Sequence, residues 1–258
     1  MELSIVIVSY NVRDLLQQAL DSLMDAAEDF KYEIFVVDNA SKDHTVEMVQ
    51  EKYPHIHLIV NPKNIGFSRA NNQAILKSNG KYILVINPDT ITSVDTIHKV
   101  IKFMKLHDDA GGLGVRMING QGRFLKESKR GLPTPWAVFS KFVGLSKIFP
   151  TSKLFNRYHL GWIDEYRTSE IEVLAGAFML LRKKALDKVG LFDETFFMYG
   201  EDIDLSYRLS LAGYKNYYFP ETYIIHFKGQ STKKLSLRYI QSFYGAMFIF
   251  VRKYFLKF

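Results

Sequence analysis

The fold is decided by the segment Leu3-Ser4-Ile5-Val6-Ile7-Val8-Ser9-Tyr10-Asn11, because its pattern recurs through the first half of the chain. Residues 3–8 are apolar and rich in β-branched side chains, which predicts a short buried strand. Polar residues begin at Ser9, and from Asn11 to Ala26 apolar residues recur at the spacing of one helix face. A strand followed directly by an amphipathic helix is the repeating unit of an α/β protein.

The same alternation continues to about residue 106. Further strands are predicted at 32–37, 57–60 and 82–86. Further helices are predicted at 41–50, with Ser41 as N-cap, at 68–78 and at 93–106. Short connections between them predict a Rossmann-like, doubly wound, mostly parallel sheet with helices on both faces. Ligands bind beyond the carboxyl ends of such strands, and polar clusters stand there at 9–11, 38–41 and 87–89.

The pattern loosens after residue 110. Residues 120–165 are basic, aromatic and interrupted by Gly and Pro, so we expect a long excursion over the sheet that could cover an acceptor, partly helical at 136–143. Strands are predicted at 111–115, 172–181, 217–219 and 223–226, and helices at 183–189 and 201–212.

Composition limits the classes of function. The 258 residues include no cysteine, so a metal would have to bind Asp, Glu, Asn or His, which favours a hard divalent cation. The net charge of +7 suggests a phosphorylated substrate, an anionic membrane or nucleic acid as partner. We do not expect nucleic acid, because the basic residues form no recognition motif and the acidic candidates below would repel phosphates.

The segment 235–258 is basic and aromatic and has no acidic residue. Such a helix can lie on a membrane surface as an interfacial anchor, or it can pack on the domain with its cations in solvent. No apolar run is long enough to predict an ordinary transmembrane helix, and the apolar residues 3–8 predict a strand rather than a signal peptide.

The acidic run Tyr199-Gly200-Glu201-Asp202-Ile203-Asp204 is the clearest chemical signal. At a helix start, three carboxylates can simply be solvated charge that the helix dipole favours. However, the aromatic residues 196–199 before them suggest a pocket wall, and Arg208 lies one turn from Asp204. A carboxylate beside apolar walls can become a general base.

Three more residues are candidates, each with a structural alternative. Asp89 follows a buried strand, where it could hold a ligand or cap the next helix. Asp38 also follows a strand and could hold a ribose or base, or form a turn. His226 ends a short strand before Lys228, a position suited to a metal diphosphate, although a single histidine is often structural.

Together these residues resemble family 2 glycosyltransferases of the GT-A fold, especially the rhamnosyltransferase-like branch. The matching segments, in chain order, are 6–11, 36–43, 64–72, 87–90, 175–178 and 199–205. The resemblance implies a GT-A domain over 1–230, with a nucleotide-sugar-binding half at 1–110 and an acceptor-binding, catalytic half at 111–230. Residues 231–258 would then form a C-terminal helical extension.

The resemblance also implies roles for single residues. The nucleotide sugar would be held by Ser9, Asn11, Asp38, Gly66, Arg69, Asn71, Asn87 and Asp89. The acceptor would meet Gly176, Ala177 and Glu201. Asp202 matches the general base, and Asp89 and His226 match the residues that hold Mg²⁺ or Mn²⁺. One position departs from the common Asp-x-Asp metal motif, since Asn87 stands in its first place and is a weaker metal ligand.

The implied reaction is an inverting transfer by direct displacement. The favoured donor is dTDP-L-rhamnose, with a UDP-sugar as the alternative, and the acceptor is a glycan or a polyprenyl-linked glycan. We expect a cytoplasmic protein, peripheral at the inner face of the cytoplasmic membrane. Asn87 favours one other hypothesis, a catalytically silent protein of the same fold that binds nucleotide sugars or serves as a scaffold.

Overall fold

The computed structural model describes residues 1–228 and 237–254, and within the second range the side chains of 245, 246 and 248–254. Residues 229–236 and 255–258, which include both ends of the predicted C-terminal extension 231–258, therefore lie outside the described residues. The strands of the described part are β1 (Leu3–Ser9), β2 (Tyr32–Asp38), β3 (His57–Val60), β4 (Tyr82–Ile86), β5 (Thr90–Thr92), β6 (Ala110–Ile118), β7 (Ser169–Ile171), β8 (Phe178–Arg182) and β9 (Lys215–His226). The helices are α1 (Arg13–Ala27), α2 (Thr45–Lys52), α3 (Phe67–Ile75), α4 (Thr96–Leu106), α5 (Pro135–Phe142), α6 (Leu145–Ile148), α7 (Lys183–Val189), α8 (Glu201–Leu211) and α9 (Leu237–Tyr254).

The strands form one sheet in the order β3-β2-β1-β4-β8-β6-β9-β5, with β7 paired to β9. All pairs among β3, β2, β1 and β4 are parallel, as predicted. In the second half β8 runs antiparallel to both β4 and β6, whereas β9 is parallel to β6. The α/β fold with its mostly parallel central sheet is confirmed, and the reversed strands lie in its second half.

Helices cover both faces of the sheet because the buried strands carry apolar side chains on both sides. Along β1, Ile5 packs in one cluster with Leu20 of α1 and Ile97 of α4, while Val6 packs in the other with Ala70 of α3 and Leu205 of α8. Leu20 is fully buried. Truncating such a leucine to alanine typically costs about 2–5 kcal/mol.

Two expectations about the first half were wrong in detail. The second helix begins at Thr45 rather than 41, because Asp38 Oδ2 accepts the Ser41 amide hydrogen at 2.9 Å and His44 adopts a left-handed φ of 62°. Residues 38–44 therefore form a turn, and Ser41 is not an N-cap. The strand β5 was also missed, since its three residues are too short to show a period.

Two strands of the second half differ from the prediction. The strand expected at 172–181 begins only at Phe178, as β8, because residues 172–177 leave the sheet and form a turn beside α8. The short strand β7, which precedes this turn, was not predicted. The two short strands expected at 217–219 and 223–226 are one strand, β9, with a shift of register against β6 after Phe219. Pro220 lies within that shift.

One side of α9 packs on the domain. Ala246 and Phe250 are buried in a small apolar cluster with Phe196 at the approach to α8. Lys253 Nζ donates to Asp193 at 2.6 Å and to Asp204 at 2.7 Å. Within the described residues, no helix is long and apolar enough to cross a membrane. Binding of this helix to a membrane surface stays a prediction.

Candidate active site

The ends of β1 and β2 bring three predicted nucleoside-binding residues together. Ser9 and Asp38 are register partners in these parallel strands, and both are buried. Asn11, with a left-handed φ of 54°, accepts the Lys42 amide hydrogen at 2.7 Å and donates its own to Ser41 Oγ at 2.9 Å. Ser9 Oγ and Asp38 Oδ1 have no hydrogen-bond partner, which is uncommon for buried polar atoms and leaves them available to a ligand.

Gly66 joins this edge to the aromatic run before α8. Its φ is +90°, and a Cβ there would lie 2.6 Å from the Phe197 carbonyl oxygen, so only glycine fits without a shift. The next residue, Phe67, donates its amide hydrogen to that same oxygen at 2.8 Å. One turn on, Asn71 is buried with its Oδ1 unpartnered, whereas Arg69 is exposed with its Nε 3.5 Å from Glu194.

Asp89 and His226 are brought side by side by the pairing of β5 with β9. Thr90 is the register partner of His226, and Phe227 donates its amide hydrogen to the Asp89 carbonyl at 2.9 Å. His226 Nε2 lies 3.3 Å from Asp89 Oδ1, and both residues are buried. Asp89 Oδ1 and His226 Nδ1 have no hydrogen-bond partner.

These two residues offer suitable ligand atoms for a divalent cation, but too few to complete its coordination. A carboxylate oxygen and an imidazole nitrogen suit Mn²⁺, and the carboxylate suits Mg²⁺. In the part of the chain that the structure describes, no group of three or more His, Cys, Asp or Glu could hold a metal. A cation here would therefore take its other ligands from a diphosphate and water, as Mg²⁺ commonly does.

Asp202 lies in the first turn of α8, after Gly200 with a φ of 84°. Its Oδ2 accepts the Gly176 amide hydrogen at 3.2 Å and a hydrogen bond from the Arg130 guanidinium. Its Oδ1 accepts the Ile203 amide hydrogen at 2.8 Å. The carboxylate is thus held in one orientation at a helix start, where the helix dipole favours negative charge.

Arg130 is the site residue that the sequence did not reveal. The same guanidinium nitrogen that contacts Asp202 also donates to the Leu174 carbonyl at 2.6 Å. Burial alone would lower the pKa of Arg130, but the Asp202 carboxylate raises it above its ordinary value. No spacing or motif marks Arg130, because it approaches Asp202 only after the 120–165 excursion has folded back.

The three acids of the cluster have different surroundings. Glu201 is buried with Oε2 unpartnered, and burial, followed by the charge of Asp202, raises the pKa of Glu201. Asp204 is fully buried and accepts hydrogen bonds from Arg208 Nε, Lys253 Nζ and Tyr254 Oη, each at 2.7 Å. Glu201 thus keeps one oxygen without a partner, whereas the Asp204 carboxylate is held by three hydrogen bonds within the protein.

The turn before β8 connects the two halves of the site. Gly176 donates to Asp202, and the Ala177 carbonyl accepts the Asn87 amide hydrogen at 3.1 Å. The acidic cluster and the Asn87-Pro88-Asp89 motif are therefore neighbours of one short turn. An unpartnered buried polar atom occurs in six of the predicted site residues, namely Ser9, Asp38, Asn71, Asp89, Glu201 and His226.

Sequence comparisons identify the family. The model of the family described as "Glycosyl transferase family 2" matches residues 4–190. An N-acetylglucosaminyl-diphospho-decaprenol L-rhamnosyltransferase of Mycobacterium tuberculosis is 27% identical, over 96% of this chain and 83% of that protein. The rhamnosyltransferase WbbL of Escherichia coli is 31% identical, over 86% of this chain and 82% of that protein.

Solved structures of similar fold include Staphylococcus aureus TarS 1-349 in complex with UDP-GlcNAc, with a TM-score of 0.65 and 20% identity. The match covers 100% of this chain and 68% of that one. The mannosyltransferase PcManGT of Pyrobaculum calidifontis, in complex with GDP-Man and Mn²⁺, gives a TM-score of 0.60 at 16% identity, over 93% of this chain and 59% of that one. The chain therefore belongs to glycosyl transferase family 2 and is a glycosyltransferase of the GT-A fold.

Proposed function

We propose that the chain moves a sugar, with inversion, from a nucleoside-diphosphate donor to a hydroxyl group of a lipid-linked glycan. Asp202 is the general base, and Asp89 and His226 hold a divalent cation. The observation that carries the proposal is the fixed carboxylate of Asp202 beside the turn that hydrogen-bonds Asn87. A base held at that turn stands next to the strand end where α/β sheets bind their ligands.

The donor side of the proposal rests on the edge formed by β1, β2 and α3. Asp38 Oδ1, Ser9 Oγ and Asn71 Oδ1 are buried acceptors without a protein partner, so they can receive hydrogen bonds from a ribose or base. The dTDP-L-rhamnose donor is favoured because two relatives are rhamnosyltransferases by name. A UDP-sugar is the alternative, since TarS has been solved with UDP-GlcNAc.

The leaving group is a nucleoside diphosphate, so its departure needs positive charge. A bound Mg²⁺ or Mn²⁺ supplies that charge as a Lewis acid. Asp89 and His226 would hold it, because Asp89 Oδ1 makes no hydrogen bond and lies 3.3 Å from His226 Nε2. Asn87 adds no charge there and interacts through its backbone with Ala177, which leaves its side-chain amide for the sugar nucleotide.

Asp202 takes the proton of the attacking hydroxyl. Its hydrogen bonds from Arg130, Gly176 and Ile203 fix both carboxylate oxygens, so the base is oriented before the acceptor arrives. The hydroxyl oxygen then displaces the nucleoside diphosphate from the anomeric carbon in one step, and no covalent sugar-enzyme intermediate forms. Glu201, buried next to Asp202, contacts the acceptor.

The lipid-linked acceptor is supported by one relative's name, which specifies an N-acetylglucosaminyl-diphospho-decaprenol. The excess of basic residues in this chain suits such an anionic acceptor. A polyprenyl-linked acceptor would bring the protein to the inner face of the cytoplasmic membrane, as a peripheral protein.

The proposal is tested by incubating the chain with dTDP-L-rhamnose, UDP-GlcNAc and GDP-mannose, each with a short-chain GlcNAc-diphospho-isoprenoid as acceptor. Mn²⁺, Mg²⁺ or EDTA is added in parallel, and the product is analysed by mass spectrometry and by NMR at the new anomeric carbon. We expect transfer of rhamnose, dependence on the cation and inversion of configuration. Transfer that EDTA leaves unchanged, or a product of retained configuration, would contradict the proposal.

A further inference from the structure

An apolar cavity of about 420 Å³ lies between α5, the start of α8 and α9. Its lining includes Val138 and Phe142 from α5, Ile203 from α8, and Phe250 and Val251 from α9. Phe142 is 85% exposed, so the mouth of the cavity opens at the surface of α5. Nothing in the proposed donor site uses this space.

The cavity adjoins the proposed base. Gly200 and Ile203, which line it, flank Glu201 and Asp202 in the first turn of α8. A molecule in the cavity therefore contacts the same helix turn that presents Asp202 to an acceptor. From this position we expect the cavity to hold part of the acceptor rather than part of the donor.

The charge around the mouth has one sign. Residues 128–163 include no acidic residue, and their basic residues are Lys129, Arg130, Lys141, Lys147, Lys153 and Arg157. Lys141 is the one charged residue among those described as lining the cavity, and its Nζ lies 3.7 Å from the centre of the Tyr158 ring. An occupant that is apolar at one end and anionic at the other matches this combination.

The surface beside the mouth is apolar as well. In and around α5 and α6, the large apolar side chains that stand in solvent are Trp136, Phe139, Phe142, Val143, Ile148, Phe149 and Leu154. Such a concentration of exposed apolar side chains marks an interaction surface, and with lysines between them it fits a bilayer from which a long lipid chain could enter.

We propose that this cavity binds the first isoprene units of a polyprenyl-diphosphate-linked acceptor, with Lys141 beside the diphosphate and the rest of the chain leaving past Phe142. The inference rests on the proposed function, which supplies the class of acceptor. It assigns the lipid part of that acceptor to α5, α8 and α9.

The experiment is isothermal titration of the intact chain with farnesyl diphosphate, geranyl diphosphate and inorganic pyrophosphate. The variant Val138→Trp fills the cavity from α5, and Val94→Trp makes the same change at a valine that is 71% exposed and does not line the cavity. We expect farnesyl diphosphate to bind at least tenfold more tightly than pyrophosphate, with geranyl diphosphate between them, because each buried methylene adds affinity. Val138→Trp should weaken farnesyl diphosphate binding about tenfold or more, and Val94→Trp should leave it unchanged.

Equal affinities for pyrophosphate and farnesyl diphosphate, or a Val138→Trp variant that binds like the unmodified chain, would overturn the proposal. Light scattering tests whether a second copy of the chain occupies the cavity instead. A dimer that binds no isoprenoid and that Val138→Trp dissociates would show that the cavity is a contact between copies, and would overturn the proposal. Transfer to a water-soluble acceptor that lacks the lipid is measured in parallel. If that transfer is intact while isoprenoid binding fails, the proposed function stands and the lipid assignment falls.

Discussion

The contact between Arg130 and Asp202 is the one on which the proposed mechanism depends most. Both side chains are largely buried, with 13% and 12% of their surfaces exposed. Two neighbouring carboxylates, Glu201 and Asp202, would repel each other in such surroundings without a cation nearby. In the proposed mechanism Arg130 is therefore a positioning residue, which holds the Asp202 carboxylate in one orientation.

Replacing Arg130 by methionine should reduce kcat by about tenfold or more and leave the KM for the donor unchanged, because the Asp202 carboxylate loses a hydrogen bond that orients it. Arg130→Lys should restore part of the rate, because its ammonium group can still donate to the carboxylate. The check is kcat and KM for donor and acceptor, with thermal melting to verify folding. A methionine variant with a normal kcat would show that the guanidinium is only structural.

Asp89 and His226 are the proposed ligands of the divalent cation. The variant Asp89→Asn keeps the shape of the side chain but removes its charge, so it should abolish most of the rise in melting temperature that Mn²⁺ and the donor produce together. Asp187→Asn, at an exposed position on α7, is the control and should keep that rise. An unchanged response to Mn²⁺ in Asp89→Asn would place the cation elsewhere.

Glu201 makes stability depend on pH. Its pKa in the folded chain is raised above the ordinary value of 4.5 by burial and by Asp202. The stability that it contributes is therefore complete below pH 4.5 and is lost as the pH rises through the folded pKa. Glu201→Gln should melt at an increasingly higher temperature than the unmodified chain as the pH rises from 4.5 to 8, whereas Glu51→Gln, at an exposed position, should follow the unmodified chain. A Glu201→Gln difference that is constant with pH would contradict the buried, titrating carboxyl group.

At the scale of elements, α9 is stabilised by both apolar packing and ion pairs. Hydrogen bonds from Lys253 and Thr195 lower the pKa of Asp193 to about 2, against the burial that alone would raise it. Asp204, which accepts a hydrogen bond from the same lysine nitrogen, is fully buried. These contacts fix the last turns of α9 beside α8, and so they also shape the cavity next to Asp202.

Two phenylalanines of α9 test this docking. Phe250 is 2% exposed and Phe248 is 63% exposed. Phe250→Ala should lower the free energy of unfolding by about 3 kcal/mol, as truncation of a buried phenylalanine does, and Phe248→Ala by less than about 0.5 kcal/mol. Urea unfolding, together with limited proteolysis near the C-terminus, measures both. Equal effects of the two variants would mean that α9 does not pack as described.

Some helices and strands could be predicted from the sequence pattern and others could not. Periodicity predicts β3, β4 and α7 to the residue, because each is a regular run bounded by turn residues. It does not predict that 172–177 leave the sheet, since that turn is held by Asp202, 26 positions from Gly176. Periodicity also does not predict that β9 is one strand, because its pairing with β6 continues beyond the register shift at Pro220.

At the scale of the whole molecule, the parallel half of the sheet and the mixed half meet where β4 pairs with β8. The strand ends of the first half are local features, so Ser9, Asp38 and Asp89 can be found from the sequence. The contacts of the second half depend on long-range pairing. Asp202 meets Arg130 only because a long excursion returns to α8, and His226 meets Asp89 only because β9 pairs with β5.

This division predicts separate effects on the two substrates. Changes in the second half, at Asp202 or Arg130, should reduce transfer and leave donor binding intact, whereas Asp38→Asn should weaken donor binding first. The assignment of 1–110 to the donor and 111–230 to the acceptor stays a prediction until both are measured in the same variants.

The role of Asp202 is tested by the turnover of Asp202→Asn, measured as sugar transferred per enzyme beside Asp187→Asn, with donor binding followed by thermal shift in the same samples. We expect Asp202→Asn to bind donor normally and to transfer sugar at least about a hundredfold more slowly, while Asp187→Asn does both like the unmodified chain. Near-normal transfer by Asp202→Asn would contradict its role as the general base.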